Sequence, residues 1–196
     1  MVSFKKLLKL IYPNSTLVAT VVQKIKTFDS RRAVNMARFG SADIKDRFFG
    51  AAVYLFAIYD AIGLGNGLLT QFPNLMPLFQ VLNTLIIPIR LLYNIVNTAV
   101  PIFGSLLVFF ILFIAVVRND RIPYFIRFNT LQSILFGIAI ALISIVFGTF
   151  GALGIVGGLT FVVATAASLF CMVQCALGRY PEIPSISAAV YSQLPR

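Results

Sequence analysis

The sequence predicts an all-α membrane protein with four transmembrane helices, both termini on the cytoplasmic or stromal side, and amphipathic helices on the membrane surface at its N-terminus. Three observations predict this class. Charged residues make up 11% of the 196, where a soluble domain carries about one quarter. Phe128 to Leu177 holds no charged residue at all. The cations are also grouped, ten of the sixteen Lys and Arg preceding Phe48. The formal net charge of +10 is not spread as a basic groove. No nucleic-acid partner is therefore expected, and anionic lipid headgroups are the expected partner of the basic arm.

Residues 1–47 form that arm. Phe4, Leu7, Leu8 and Ile11 recur at helical spacing with Lys5, Lys6 and Lys9 elsewhere on the wheel, and Pro13 and Asn14 end the pattern. Val18, Val21, Val22, Ile25 and Phe28 make a second stripe opposite Lys24 and Lys26. Such stripes lie on a bilayer surface or pack on a protein, and the flanking lysines favour headgroups. The opening MVSFKKLLKLIYPN has no uninterrupted apolar core and no small-residue cleavage site, so no cleavable signal is expected.

The membrane domain is expected over 48–177, with spans at about 48–64, 96–117, 128–148 and 154–177. The first is short for a bilayer core and ends at the GLGNG of Gly63 to Gly67. Residues 68–94 are apolar but carry Pro73, Pro77 and Pro88, which predicts an interfacial or re-entrant segment. Pro101 lies near the start of the second span, where neighbouring helices can satisfy the freed carbonyl. The glycine cluster from Phe147 to Gly158 divides the long uncharged stretch, and Gly154 and Gly158 form a small-xxx-small step suited to helix contact. Residues 178–196 are a polar tail.

With four spans, the arm, the turn containing Arg118, Arg121 and Arg127, and the tail with Arg179 and Arg196 all fall on one side. Only Arg90 is opposite. The excess of cations in cytoplasmic loops then puts both termini inside, with Arg121 and Arg127 as anchors at the inner headgroups.

The chain has no histidine, and it shows no nucleophile elbow, phosphate loop or carboxylate pair. No enzymatic activity, cofactor or metal is expected. Cys171 and Cys175 are four apart in an apolar run and read as small buried hydrophobes. Asp60 is the candidate intramembrane charge, since a carboxylate in a span is costly and marks function by default. Its alternative is an interfacial position just before GLGNG, and Arg90 is its candidate partner. Asn129 and Gln132 open the third span three residues apart. They either cap the helix or hydrogen-bond to another helix or an extended backbone, with Gln174 at a matching depth.

Two stretches carry a resemblance. VVRNDRIPYFIRFNTLQSILFGI (Val116 to Ile138) and CALGRYPEIPSISAAVYSQLPR (Cys175 to Arg196) resemble signatures of the twenty-kilodalton Tic subunit family. That family belongs to the protein-import translocon of the inner chloroplast envelope and includes cyanobacterial and plastid-encoded relatives. The resemblance implies a four-helix subunit of a preprotein translocon in the plastid inner envelope or the cyanobacterial plasma membrane. It also implies other translocon subunits and preprotein substrates as partners. Four helices with so few polar residues do not enclose a wide aqueous pore, so a polypeptide path would need a homo-oligomer or partner subunits. A small-solute transporter subunit and a non-transporting assembly scaffold are the competing classes.

Overall fold

The computed structural model describes Gln23 and residues 42–194, except Ile102, Phe150, Gly151, Ala152 and Pro184. The expected surface helices of the arm lie outside the described residues. From Ala42 on, every regular element among the described residues is helical.

The first span is longer than expected, Ile44–Gln71, 28 residues. Asp43 N–H donates to Asp46 Oδ2 at 3.2 Å and fixes its start. It consists of α1 (Ile44–Ala52), α2 (Tyr54–Ile62), a 3-10 turn at Gly63–Gly65 and α3 (Asn66–Gln71). The GLGNG run therefore does not end the span. Gly63 and Gly65 both hold helical φ and ψ. Gly65 is glycine for space, because a Cβ there would lie 2.6 Å from the Phe79 ring and 2.8 Å from Phe161.

The proline-rich segment forms two helices. A 3-10 turn at Pro73–Leu75 leads into α4 (Met76–Leu85), and α5 (Ile87–Ala99) follows after one residue. Pro77 and Pro88 occupy first-turn positions, where the missing N–H is no loss. The prolines thus begin helices, and the two axes meet at 60° at Ile86, the shape of a broken span or a re-entrant loop.

The expected span 96–117 is divided. Val96 to Ala99 complete α5, the chain leaves the helix at Val100 and Pro101, and α6 (Gly104–Ile111) continues into a π-helical segment, Leu112–Val117. Pro101 has no N–H to extend α5 and disfavours helical geometry at Val100, whose φ is −135°. What remains, Gly104–Val117, is a short apolar helix. The stretches 128–148 and 154–177 lie on two long apolar helices, α7 (Tyr124–Thr149) and α8 (Leu153–Ala176). A final helix, α9 (Ile186–Gln193), lies in the tail.

Cross-chain contacts give the helix directions. Ser133 Oγ donates to Val53 O at 2.7 Å, and a Cβ on Gly137 would sit 2.8 Å from Asp60 Oδ2, so the first span runs parallel to α7. Arg47 lies beside Gly178, while Leu64 and Leu68 lie beside Gly157 and Gly158, so α8 runs antiparallel to the first span. The start of the first span and the start of the tail after α8 therefore meet at one end of the bundle.

The glycine step does make a helix contact, but its partner is the first span and not the third. A Cβ on Gly158 would meet Leu68 at 2.9 Å, one on Gly157 would meet Leu64 O at 3.3 Å, and Gly67 faces the Gly154 backbone. A Cβ on Gly154 itself would meet nothing within 4 Å. Large apolar side chains such as Leu142 and Ile145 on α7 and Leu159 and Val163 on α8 point outward. In water this would be a liability, but in lipid it is the expected exterior.

Candidate functional site

Two polar features interrupt the apolar bundle: a buried clamp at the tail end and a cleft at mid-depth.

The clamp is built from the Arg-Phe-Asn-Thr-Leu-Gln run on the first turns of α7. Asn129 is fully buried. Its Oδ1 accepts from the Tyr54 hydroxyl of the first span at 2.8 Å and from the Cys175 thiol of α8 at 3.1 Å. Its Nδ2 donates to Phe125 O one turn back at 2.7 Å. One amide thus joins three spans. Gln132, one turn on, is also fully buried. Its Nε2 donates to Pro181 O in the extended tail at 3.2 Å and reaches Cys171 Sγ at 3.7 Å. Ser187 of α9 donates to Gln132 Oε1 at 3.4 Å and to Pro181 O at 3.3 Å, and accepts from Ile183 N–H at 2.7 Å. An amide suits both sites because it can donate and accept at once.

Aromatic rings close the clamp from outside. Tyr180 packs edge-on against Phe125 and Phe128, with centroids 5.0 and 5.2 Å away, and Tyr191 lies 4.9 Å from Phe128. Burial, with Tyr124 second, pushes the Tyr180 phenol well above its ordinary pKa, so it stays neutral. The two sequence stretches that carry the resemblance are therefore one packed unit.

Arg127 is not a free headgroup anchor. Its side chain is 6% exposed. Nε donates to Val117 O at 2.9 Å, and the guanidinium pairs with Asp120 at 2.9 Å. It ties the end of the π-helical segment to the start of α7. Arg121 is exposed, and its N–H donates to Asn119 Oδ1 at 3.0 Å within the loop. Gln174 is half-buried, and its Oε1 has no hydrogen-bond partner.

The cleft lies between α2, α5, α6 and α7 and has a volume of about 440 Å³. Asp60 is at its centre, beside Gly137 halfway along α7. It lies well within the 28-residue helical stretch Ile44–Gln71, not close to its end. Tyr93, Phe56 and Phe109 supply aromatic walls, and Ser105, Thr130 and Ser133 supply hydroxyls. Thr130 Oγ1 is buried without a partner. Arg90 does not pair with Asp60; its guanidinium donates to Asn83 Oδ1 at 2.5 Å. Tyr54, Pro181 O and Ser187 were the members of the clamp that sequence reasoning missed. For Tyr54 the available signal was a phenol in an apolar span, since a buried phenol needs a partner.

Fold and site together define a multi-pass integral membrane protein whose third span binds its neighbours and the tail through buried amides. Comparison with known proteins gives the family. The model of the TIC20 family, described as chloroplast import apparatus Tic20-like, matches residues 16–190. A Tic20 family protein from Synechocystis sp. is 41% identical over 167 residues, covering 81% of this chain and 99% of that protein. Protein TIC 20-II, chloroplastic, from Arabidopsis thaliana is 29% identical over 178 residues, covering 84% and 81%. A second Arabidopsis thaliana relative, Protein TIC 20-v, chloroplastic, is 25% identical over 162 residues, covering 79% and 73%. The chain belongs to the Tic20 family.

Proposed function

We propose that the protein is a membrane-embedded subunit of a preprotein translocon, contributing to import across the chloroplast inner envelope or the equivalent cyanobacterial membrane. The family match across residues 16–190 is the observation that carries this reading. The geometry supports a shared path. The spans close on one another through glycine contacts and buried rings and leave a cleft of only about 440 Å³. A polypeptide path would then be lined by this chain together with other subunits or further copies of it. Mild detergent purification from native membranes, followed by mass analysis, tests the reading. Translocase subunits and arrested precursors should co-purify. Recovery without either would overturn it in favour of a scaffold or a small-solute transporter.

The same reading puts both termini on the cation-rich face. Single cysteines at Ser3, Asn74 and Ser192, with Cys171 and Cys175 replaced by alanine, should react with an impermeant maleimide in two groups. Ser3→Cys and Ser192→Cys should label from one side and Asn74→Cys from the other. Labelling of the two terminal positions from opposite sides rules out this topology. A peptide of residues 3–28 should gain helical circular dichroism on phosphatidylglycerol vesicles and lose it at high salt, as an electrostatically held surface helix does. Disorder under both conditions would favour docking on a protein partner.

A further inference from the structure

We infer that the Asp60 cleft is a receptor for a basic side chain, Lys or Arg, carried into the membrane by a polypeptide segment that passes or docks beside this chain. The source of that segment rests on the translocon reading; the chemistry of the site does not.

The first observation is charge. Among the described residues from Phe48 to Val117, Asp60 and Arg90 are the ionisable acid and base, and Arg90 is engaged with Asn83. Asp60 is exposed within the cleft and forms no ion pair among the described residues. A carboxylate at mid-membrane is costly unless a cation or a polar cavity compensates it. The second observation is the lining. Tyr93 and Phe56, with rings 6.2 Å apart, and Phe109 provide the aromatic faces that attract ammonium and guanidinium groups. Ser105 and the unpartnered Thr130 hydroxyl offer oxygen acceptors for the remaining N–H groups. Carboxylate, hydroxyl oxygens and aromatic faces together are the chemistry that holds an organic cation.

The third observation is access. Gly137 is the residue that leaves Asp60 room: with any side chain there, Cβ would fall 2.8 Å from Oδ2. One wall of the cleft is the helix Gly104–Val117, whose 14 residues reach only about 21 Å against a hydrocarbon core of about 30 Å. A wall shorter than the bilayer draws the headgroup layer toward the cleft and lowers the cost of admitting a charged side chain from the lipid side.

The test uses the purified full chain in phosphatidylcholine vesicles, with a photoreactive residue at Ser105. The probe is an apolar Leu–Ala segment of about 20 residues with one central Lys, compared with the same segment carrying Gln. The Lys segment should be labelled about tenfold more than the Gln segment. That preference should vanish in Asp60→Asn and persist in Asp60→Glu, while labelling of the Gln segment stays constant and reports an intact cleft. Equal labelling of the two segments, or a preference that survives Asp60→Asn, overturns the inference. So does loss of the preference when phosphatidylethanolamine is added, because the cation would then be a lipid amine. These outcomes are independent of whether precursors co-purify from native membranes.

Discussion

Gly65→Ile is expected to destabilise the detergent-solubilised protein by about 1–3 kcal/mol, read as a lower melting temperature. Gly65 is where three parts of the chain converge: the 3-10 turn of the first span, Phe79 of α4 and Phe161 of α8. The two rings are stacked with centroids 4.7 Å apart, so neither can move without disturbing the other. A Cβ at 2.6 Å from one and 2.8 Å from the other leaves no space for a branched side chain. Relief requires either breaking the ring stack or pushing the first span away from α8, which also opens the Leu64–Gly157 and Leu68–Gly158 contacts. Gly154→Ala provides the comparison, since a Cβ there meets nothing within 4 Å. It should leave the melting temperature unchanged or raise it slightly, because alanine is the better helix former. Equal effects of the two substitutions would mean that helix propensity, not the close approach of the spans, decides.

Gln132→Leu is expected to release the tail while leaving the spans in place. Leucine fills much of the same volume but can neither donate to Pro181 O nor accept from Ser187. Interhelical hydrogen bonds in membrane proteins average about 0.6 kcal/mol and reach about 1.7, and two bonds are lost here. The combined loss corresponds to about a tenfold rise in the open population of the tail. Amide exchange over residues 183–194 should quicken by that factor, while exchange at the centre of α7 is unchanged. Asn129→Leu should act elsewhere, loosening Tyr54 and Cys175 and speeding exchange in α1 and α2. Unaltered protection of residues 183–194 in Gln132→Leu would show that the rings of Tyr180 and Tyr191 hold the tail without the amide.

Much of this was legible in the sequence, and the remainder has physical reasons. Spans three and four were readable because nothing interrupts them except the glycine cluster. The first span was under-read because GLGNG looks like a turn; only the structure shows that the run stays helical and that Gly65 makes room for the Phe79–Phe161 stack. Pro101 reads as tolerated within a helix, whereas it ends one: Val100 closes the last bond of α5, to Val96 O, and leaves helical geometry before the proline. Asp60 could be singled out from its charge alone, but its depth depended on where the span ends, and that had been misplaced. Asn129 and Gln132 were legible as amides that either cap the helix or bond to another helix or an extended backbone. Their partners were not, since Tyr54 and Pro181 lie 75 and 49 residues away and no periodicity links them.

Those separations also order the events of synthesis. When Asn129 leaves the ribosome, Tyr54 is already in the membrane and can meet it. Gln132 must wait for Pro181, another 49 residues, or roughly 2–10 s at translation rates of about 5–20 residues per second. During that interval a buried amide of the third span has no permanent acceptor. The nascent chain is held in a state that an insertion factor or another polar helix can occupy. Residues 181–187 then act as a lock that closes only after they are made, and a chain cut short before Pro181 would display an unmet amide, the kind of feature by which membrane quality control can recognise an unfinished protein.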